Sequence, residues 1–280
     1  MRDKTVSRTA LGVATTMLTL SQKEGWPERL PDGLADTTEI LVKKAGIPGF
    51  GTFAISRAKT KRAIRRFSRF ERLVPGVFEG LGRRKIFMQE QLDQALRDGF
   101  DQVAVIGAGF DALCIRSAPK HRNVRFIEVD HPATQSAKKK GLQALGAPSN
   151  LTLAAADLSE TRLADVLLQL AEDGKWNPEA RSLFIAEGLF MYLTRDQVLD
   201  VFKQVENASG KGSRLAFSHL NSLRQHHLTR AAVAMIGEPW RSASQQDKLT
   251  RYIGKNWRVF DQAPLWSRRD LEGYAVAEYV

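Results

Sequence analysis

The chain has one cysteine, Cys114, among its 280 residues. A single cysteine excludes an intramolecular disulfide and a cysteine-cluster metal site. Because disulfides persist mainly in oxidising compartments, the low count is typical of a cytoplasmic protein. Histidine is also scarce, and the pair His226-His227 has no carboxylate at the spacing that zinc sites require, so we predict no metal.

Long apolar runs are absent too. No stretch approaches the roughly 18 apolar residues that a membrane-spanning helix needs, so we predict no integral membrane segment. The stretch Ala10–Leu20 follows a basic N-terminus and has the length of a signal-peptide core, but it contains three threonines and no small-residue cleavage site follows it. Its apolar residues recur at helical spacing, which favours a packed helix over a signal peptide.

Acidic residues are outnumbered, with 31 Asp and Glu against 42 Lys and Arg, for a net charge of +11. Residues 51–90 hold eleven basic and three acidic residues, and therefore most of this excess. The segment Arg57–Arg72 could hold a nucleic-acid backbone, an anionic membrane surface or an anionic acceptor, and a solvated helix face is the simplest interpretation. Its aromatic residues, Phe67 and Phe70, fit the apolar side of a helix better than exposed stacking platforms, so we do not expect a nucleic-acid partner.

Two parts of the chain differ in pattern. Residues 1–98 contain no alternating strand pattern and indicate helices, so we interpret them as an N-terminal helical cap. In residues 99–280, apolar runs typical of buried strands alternate with helical segments, which predicts a doubly wound, mostly parallel α/β core with lid elements around residues 222–250. The predicted strands are Val103–Ile106, Val124–Val129, Leu151–Ala155, Ser182–Ala186 and Arg214–Phe217, with Trp257–Phe260 and Tyr274–Val280 as two more, the last of them antiparallel.

A glycine turn, Gly107-Ala108-Gly109-Phe110-Asp111, follows the first predicted strand. Glycines have no Cβ, so they let the backbone pass close to a nucleotide cofactor. The next residue, Ala112, completes a relaxed dinucleotide-binding pattern, so this turn alone also fits an NAD-dependent dehydrogenase or a tight turn without a ligand.

Carboxylates follow the next three predicted strands. Glu128 and Asp130 share one face of the second strand, and either could accept hydrogen bonds from the ribose hydroxyls of a nucleoside. After the third strand, Asp157 can accept from an adenine amino group while Leu158 packs on the ring, and Glu187 closes the fourth strand. Since the carboxyl ends of parallel strands form the ligand crevice, these groups together favour S-adenosylmethionine over NAD.

These motifs resemble the leucine carboxyl methyltransferase family and its bacterial relatives of unassigned substrate. The resemblance covers about residues 80 to 245. It implies a class I methyltransferase fold, which is a Rossmann-like sheet of seven strands under a helical cap, with S-adenosyl-L-methionine as cofactor and S-adenosyl-L-homocysteine as product. The strings that carry it are Ile106-Gly-Ala-Gly-Phe-Asp111, Phe126-Ile-Glu-Val-Asp-His-Pro132, Ala156-Asp-Leu158, Ala186-Glu-Gly-Leu-Phe-Met-Tyr-Leu193 and Gly237-Glu-Pro239.

The resemblance also implies roles for individual residues. Asp130 is implied to hold the ribose and Glu187 to approach the sulfonium. Arg84 is similar to the family arginine that pairs with the cofactor's carboxylate, a bidentate task that suits a guanidinium, and the adjacent Arg83 is the alternative. The full set of implied cofactor contacts is Arg84, Gly107, Ala108, Gly109, Asp111, Glu128, Asp130, Asp157, Leu158 and Glu187.

Methyl transfer from a sulfonium is an in-line displacement in which the protein mainly orients the reactants and excludes water. A carboxylate acceptor is already ionised at neutral pH, whereas an alcohol or phenol needs a base. Glu187 and His219 are the candidate bases, although we expect a structural role for His219, and Tyr192 is expected to shape the acceptor pocket.

We therefore predict O-methylation of a carboxylate or hydroxyl on a small molecule or peptide, with Glu187 and Tyr192 as catalytic residues. A dehydrogenase and a non-catalytic cofactor-binding or interaction protein remain alternatives. A nucleic-acid methyltransferase is disfavoured because the fourth strand ends in Glu187-Gly188, without an Asn-Pro-Pro-aromatic segment.

Overall fold

The computed structural model describes residues 6–48, 52–73, 76–222, 239–264 and 271–280. Within these ranges, short 3₁₀ turns lie at Phe190–Tyr192 and Gln246–Lys248. The helices are α1 (Arg8–Leu20), α2 (Leu34–Lys44), α3 (Thr52–Ala58), α4 (Lys61–Leu73), α5 (Glu79–Arg97), α6 (Leu113–Ser117), α7 (Pro132–Leu145), α8 (Leu163–Glu172), α9 (Arg195–Asn207) and α10 (Thr250–Ile253). The strands are β1 (Gln102–Ile106), β2 (Arg125–Asp130), β3 (Leu151–Ala155), β4 (Leu183–Ala186), β5 (Arg214–Leu220), β6 (Trp257–Gln262) and β7 (Glu272–Tyr279).

The seven strands form one sheet in the order β3-β2-β1-β4-β5-β7-β6. Strands β1 to β5 pair in parallel, and β7 is antiparallel to both β5 and β6. The predicted seven-stranded, mostly parallel sheet is therefore confirmed. The order reverses between β1 and β4, and ligands of open α/β sheets bind at the carboxyl ends of strands beside such a reversal.

Helices cover both faces of the sheet, which explains why its central strands are apolar throughout. All residues of β1 and β4 are buried. Alternate residues of β1 face opposite ways, so Ala104 joins the core under α8 and α9, whereas Val103 packs with Phe87 and Leu92 of α5. None of the described helices combines the length and the apolarity needed to cross a bilayer.

The described residues before β1 are helical, as predicted, and α1 is a packed helix. Leu11 and Leu18 of α1 are buried in a cluster with Leu41 of α2. Helix α5 packs directly on the sheet, so it belongs to both parts of the proposed division into a cap of residues 1–98 and a core of residues 99–280. Of the predicted lid elements, residues 223–238 lie outside the described residues.

Candidate active site

A cavity of about 720 Å³ opens at the carboxyl ends of the central strands. Helix α1, the start of α5 and the turn after β4 enclose it with the glycine turn. Almost all of the predicted site residues lie on its wall, and Glu128 does not. Those on the wall are Arg84, Gly107, Ala108, Gly109, Asp111, Asp130, Asp157, Leu158, Glu187 and Tyr192.

The glycine turn depends on residues without a Cβ. Gly107 and Gly109 both have positive φ angles, +69° and +49°, a region that other residues rarely adopt. The turn is fixed to the sheet because the amide of Gly107 donates to the carbonyl of Val129 over 2.8 Å. A Cβ on Gly109 would lie 3.0 Å from the Cβ of Ala10 in α1, so α1 can approach the turn this closely only beside a glycine.

Asp130 and Glu128 have different surroundings although they share a face of β2. Asp130 reaches the cavity, where its carboxylate accepts hydrogen bonds from the amides of Gly109 and His131. Burial raises the pKa of Asp130, and these two N–H groups oppose the rise. Glu128 lies two residues before Asp130 in β2. It is 0% exposed and forms an ion pair with Lys138 of α7. The structure therefore brings Asp130 to the site, and Glu128 is corrected to a buried charge behind it.

Asp157 and Leu158 follow β3 on the same side of the cavity. The Asp157 carboxylate accepts from the amide and the hydroxyl of Ser159, over 3.0 and 2.6 Å, and these bonds lower its pKa. Its second oxygen lies 3.4 Å from Nε2 of His131. An ionised carboxylate beside an apolar side chain is therefore available where the sequence predicted contacts to adenine.

A buried charge cluster, formed by Arg84, Lys85, Asp111, Glu187 and Glu272, contributes to the same cavity wall. Arg84 is 4% exposed; its Nε lies 3.0 Å from Glu187 Oε1, and its Nη1 lies 2.9 Å from Glu272 Oε2. Arg84 lines the cavity and Arg83 does not, so Arg84 is the arginine that can reach a ligand. Its third nitrogen, Nη2, takes no part in these bonds and faces Gly188.

Lys85 joins two of the carboxylates in this cluster. Its Nζ contacts Asp111 and lies 2.7 Å from Glu187 Oε1. Burial alone would lower the pKa of Lys85, but the charges of Asp111 and Glu187 outweigh it and raise the pKa. Burial also raises the pKa of Glu187, against the attraction of Lys85 and Arg84. With two cations and three carboxylates, the cluster has a formal charge of −1.

The sequence interpretation missed Lys85, Glu272 and the contribution of α1. Lys85 could have been found, because it follows Arg84 on the same helix. Glu272 gave no signal, since it is 188 residues from Arg84 and precedes an apolar strand in the tail. The residues of α1 on the cavity wall include Thr9, Ala10 and Val13.

The remaining candidates, Tyr192 and His219, separate clearly. Tyr192 lies on the cavity wall in the turn after β4. His219 is fully buried in β5 and is not part of the wall. Burial lowers the pKa of His219 to about 4, so the ring is neutral near pH 7. It packs against Gly273 so closely that a Cβ there would lie 2.6 Å from its Nε2, which fits a structural residue.

A family model described as "Leucine carboxyl methyltransferase" matches residues 23–206. The chain belongs to this family. Among similar proteins of this kind, the Bacillus subtilis (strain 168) protein named "Putative S-adenosyl-L-methionine-dependent methyltransferase YktD" is 29% identical over 170 residues, which are 57% of this chain and 54% of that protein. Rv3787c of Mycobacterium tuberculosis (strain H37Rv), which has the same descriptive name, is 29% identical over 201 residues, or 69% of this chain and 58% of that protein.

Solved structures support the fold. A crystal structure from Thermobifida fusca YX covers 91% of this chain and 99% of its own, with a TM-score of 0.61 at 16% identity. A second, from Streptomyces avermitilis MA-4680, covers 90% and 98%, with a TM-score of 0.60 at 14% identity. The predicted family and fold class are thus confirmed, and the relatives named above carry the description of S-adenosyl-L-methionine-dependent methyltransferases. The chain spans little more than half the length of the curated relatives named above.

Proposed function

We propose that the protein is an S-adenosyl-L-methionine-dependent methyltransferase that acts on a hydroxyl oxygen of an apolar small molecule. One observation carries the proposal. One cavity brings together the glycine turn, Asp130, Asp157 and Glu187 at the strand ends and Arg84, Lys85 and Glu272 from other segments of the chain. A nucleoside cofactor and a small acceptor need a concave space of this kind.

The residues present fit this cofactor. Asp130, Asp157 and Leu158 lie together on the cavity wall, so two carboxylates and an apolar side chain are available to the hydroxyl, amino and ring groups of a nucleoside. Asp130 would hold the ribose, Asp157 and Leu158 the adenine, and Arg84 Nη2 the carboxylate of the amino-acid end. The net negative charge of the cluster complements a sulfonium. When bound, S-adenosyl-L-methionine supplies an electrophilic methyl group.

The acceptor side of the cavity is mainly apolar. Val77, Phe78, Met191, Trp240 and Leu271 contribute to this part of the wall. An apolar wall excludes water and favours an aromatic or aliphatic acceptor.

The charges on the wall favour a hydroxyl over a carboxylate, although the family description names a carboxyl acceptor. Both buried cations, Arg84 and Lys85, already contact carboxylates. The other arginines on the wall, Arg8 and Arg241, are exposed. Burying an acceptor carboxylate without a cation partner would be costly, whereas a neutral hydroxyl carries no such penalty.

A hydroxyl acceptor needs a base, and Glu187 is placed to be one. Its Oε1 binds Arg84 and Lys85, while its Oε2 has no hydrogen-bond partner among the described residues. Burial raises the pKa of Glu187, which strengthens it as a proton acceptor. In the proposed reaction Glu187 takes the hydroxyl proton, Tyr192 orients the acceptor, and the surrounding wall excludes water.

Ligand binding tests the cofactor half of the proposal. We expect S-adenosyl-L-homocysteine to raise the melting temperature, because a ligand that binds only the native state stabilises it, and NAD to leave it unchanged. Stabilisation by NAD alone would favour a dehydrogenase.

A matched pair of acceptors tests the hydroxyl. We expect methylation of 4-phenylphenol and none of biphenyl-4-carboxylate. Glu187→Gln should lower kcat by roughly 100-fold while the affinity for S-adenosyl-L-homocysteine is retained. Methylation of the carboxylate and not of the phenol would show that the acceptor is a carboxylate and not a hydroxyl. Cofactor binding without methyl transfer to any acceptor in a broad panel would favour a non-catalytic protein.

A further inference from the structure

Helix α4 lies on the rest of the protein without burying any side chain of residues 61–72. Its basic side chains are all exposed to solvent. A helix that buries so little gains its stability from few tertiary contacts, so its composition calls for an explanation other than the core. These exposed basic residues are Lys61, Arg62, Arg65, Arg66, Arg69 and Arg72.

These six charges have no acidic partner within the described residues. The one acidic residue of α4, Glu71, turns to the backbone instead. Its carboxylate accepts hydrogen bonds from the amides of Gly76, Phe78 and Glu79, the last two over 3.0 and 3.2 Å. No ion pair among the described residues involves a basic side chain of α4.

Charge and apolarity occupy separate sides of α4. At about 100° per residue, the six basic side chains fall within an arc of about 140°, and Ala63, Ile64, Phe67 and Phe70 fall in the opposite arc. Part of this apolar side remains open to solvent. Phe70 is 46% exposed, and Phe53 of the neighbouring α3 is 80% exposed.

The inner aromatic residue of α4 is attached to the cavity wall. Phe67 stacks on Phe78 with ring centroids 3.9 Å apart, and Phe78 lines the cavity. Helix α4 is therefore attached to the cavity wall at Phe78 through its apolar side, and its basic side lies on the opposite arc.

We propose that the surface formed by α3 and α4 docks on an anionic lipid bilayer. Arginines of α4 would contact lipid phosphates, and Phe53 and Phe70 would enter the interface, as in helices that lie in the plane of a membrane surface. Unpaired cations explain attraction to any polyanion. The exposed phenylalanines decide between partners, because a nucleic-acid backbone gives them no apolar medium to enter, whereas a bilayer does.

Vesicle binding tests this surface against net charge. The 280-residue chain is titrated with vesicles of phosphatidylcholine and 30% phosphatidylserine, and with phosphatidylcholine alone. We expect binding to the anionic vesicles only, weakened by salt. The triple variant Arg65→Gln, Arg66→Gln, Arg69→Gln should bind roughly 100-fold more weakly, at about fivefold per charge.

The matched control removes three exposed charges elsewhere, with Arg122→Gln, Lys139→Gln and Lys140→Gln. It has the same net charge as the α4 variant, and we expect less than about a threefold loss. Phe53→Ser, which leaves the charge unchanged, should weaken binding roughly tenfold. Because every substituted side chain is exposed, all variants should unfold at the same urea concentration as the parent.

Three results would overturn the proposal. The first is no binding of the parent protein to anionic vesicles at low salt. The second is an equal loss in the two triple variants, which would make net charge the cause. The third is binding of a 30-base-pair DNA duplex that depends on the α4 arginines while Phe53→Ser has no effect on vesicles.

Discussion

The two walls of the cavity are built in different ways. The strand-end wall consists of Gly107–Asp111, Asp130, Asp157, Leu158 and Glu187, which lie at or just after the carboxyl ends of β1 to β4. The helix wall consists of Ala10 in α1, Arg84 and Lys85 in α5, and Glu272 at the start of β7. The sheet fixes the first wall by its register, whereas the second is assembled from three distant segments of the chain.

Buried ion pairs join the two walls. Arg84 contacts Glu187, and Lys85 contacts both Asp111 and Glu187, so each cation of the helix wall reaches a carboxylate of the strand-end wall. In a low-dielectric interior such pairs add little net stability, but losing one partner leaves a charge without compensation. The strand-end wall therefore depends on the register of the sheet, whereas the helix wall also depends on the pairing of its buried charges with those of the strand-end wall.

The largest expected effect on stability comes from removing one of the ion pairs between the two walls. Arg84→Met leaves Glu187 without its Arg84 contact and removes Nη1, the donor to both oxygens of Glu272, so we expect a loss of about 3–5 kcal/mol in the free energy of unfolding. Urea denaturation at pH 7 measures it. Arg97→Met on the exposed end of the same helix is the control, with an expected loss below about 0.5 kcal/mol. Equal losses in the two variants would show that the buried pairs do not join the walls.

A second prediction concerns His219 near the end of β5, which does not line the cavity. His219 is buried with its pKa lowered to about 4, against 6.5 for the free side chain. Below pH 6.5, His219 is protonated in the unfolded chain but stays neutral in the folded chain until the pH approaches 4. The free energy of unfolding therefore falls by about 3 kcal/mol between pH 6.5 and pH 4.

His219→Gln should remove this slope. The difference between parent and variant unfolding free energies, measured in urea at pH 7, 6, 5 and 4, isolates the histidine because all other groups titrate in both proteins. A constant difference across this range would contradict the burial of a neutral ring.

The third prediction separates two carboxylates of one strand. Asp130→Asn should weaken binding of S-adenosyl-L-homocysteine by roughly 30-fold, because charge-assisted hydrogen bonds to the ribose are lost. Glu128→Gln should destabilise the fold through the partner it leaves, Lys138, yet change the affinity by less than about twofold. Titration calorimetry gives the affinities. A larger loss of affinity in Glu128→Gln than in Asp130→Asn would show that Glu128, and not Asp130, contacts the ribose.

The smallest expected effect tests how closely the helix wall approaches the glycine turn. Gly109→Ala imposes an unfavourable φ and pushes on Ala10, so we expect about 1 kcal/mol of destabilisation and roughly tenfold weaker cofactor binding. Gly146→Ala imposes similar backbone strain with no neighbour within 4 Å, so its affinity should be unchanged. Equal affinities in the two variants would mean that the contact between α1 and the turn is unimportant.

The contrast between the walls also explains what the sequence could predict. Asp157, Leu158 and Glu187 follow apolar runs, so a local pattern places them at the carboxyl edge of a parallel sheet. Alternation along β2 puts Glu128 and Asp130 on the same face and cannot distinguish them. What separates them is that Glu128 is buried against Lys138 of α7, whereas Asp130 lines the cavity. Glu272 was invisible because its role depends on how β7 enters the sheet beside β5, a long-range pairing that no local pattern encodes.

A crystal structure with S-adenosyl-L-homocysteine bound would show whether the strand-end wall is the cofactor site. We expect adenine beside Asp157 and Leu158, the ribose hydroxyls on Asp130, and the sulfur near Glu187. A ligand bound outside this cavity, or a ribose that makes no contact with Asp130, would contradict this assignment.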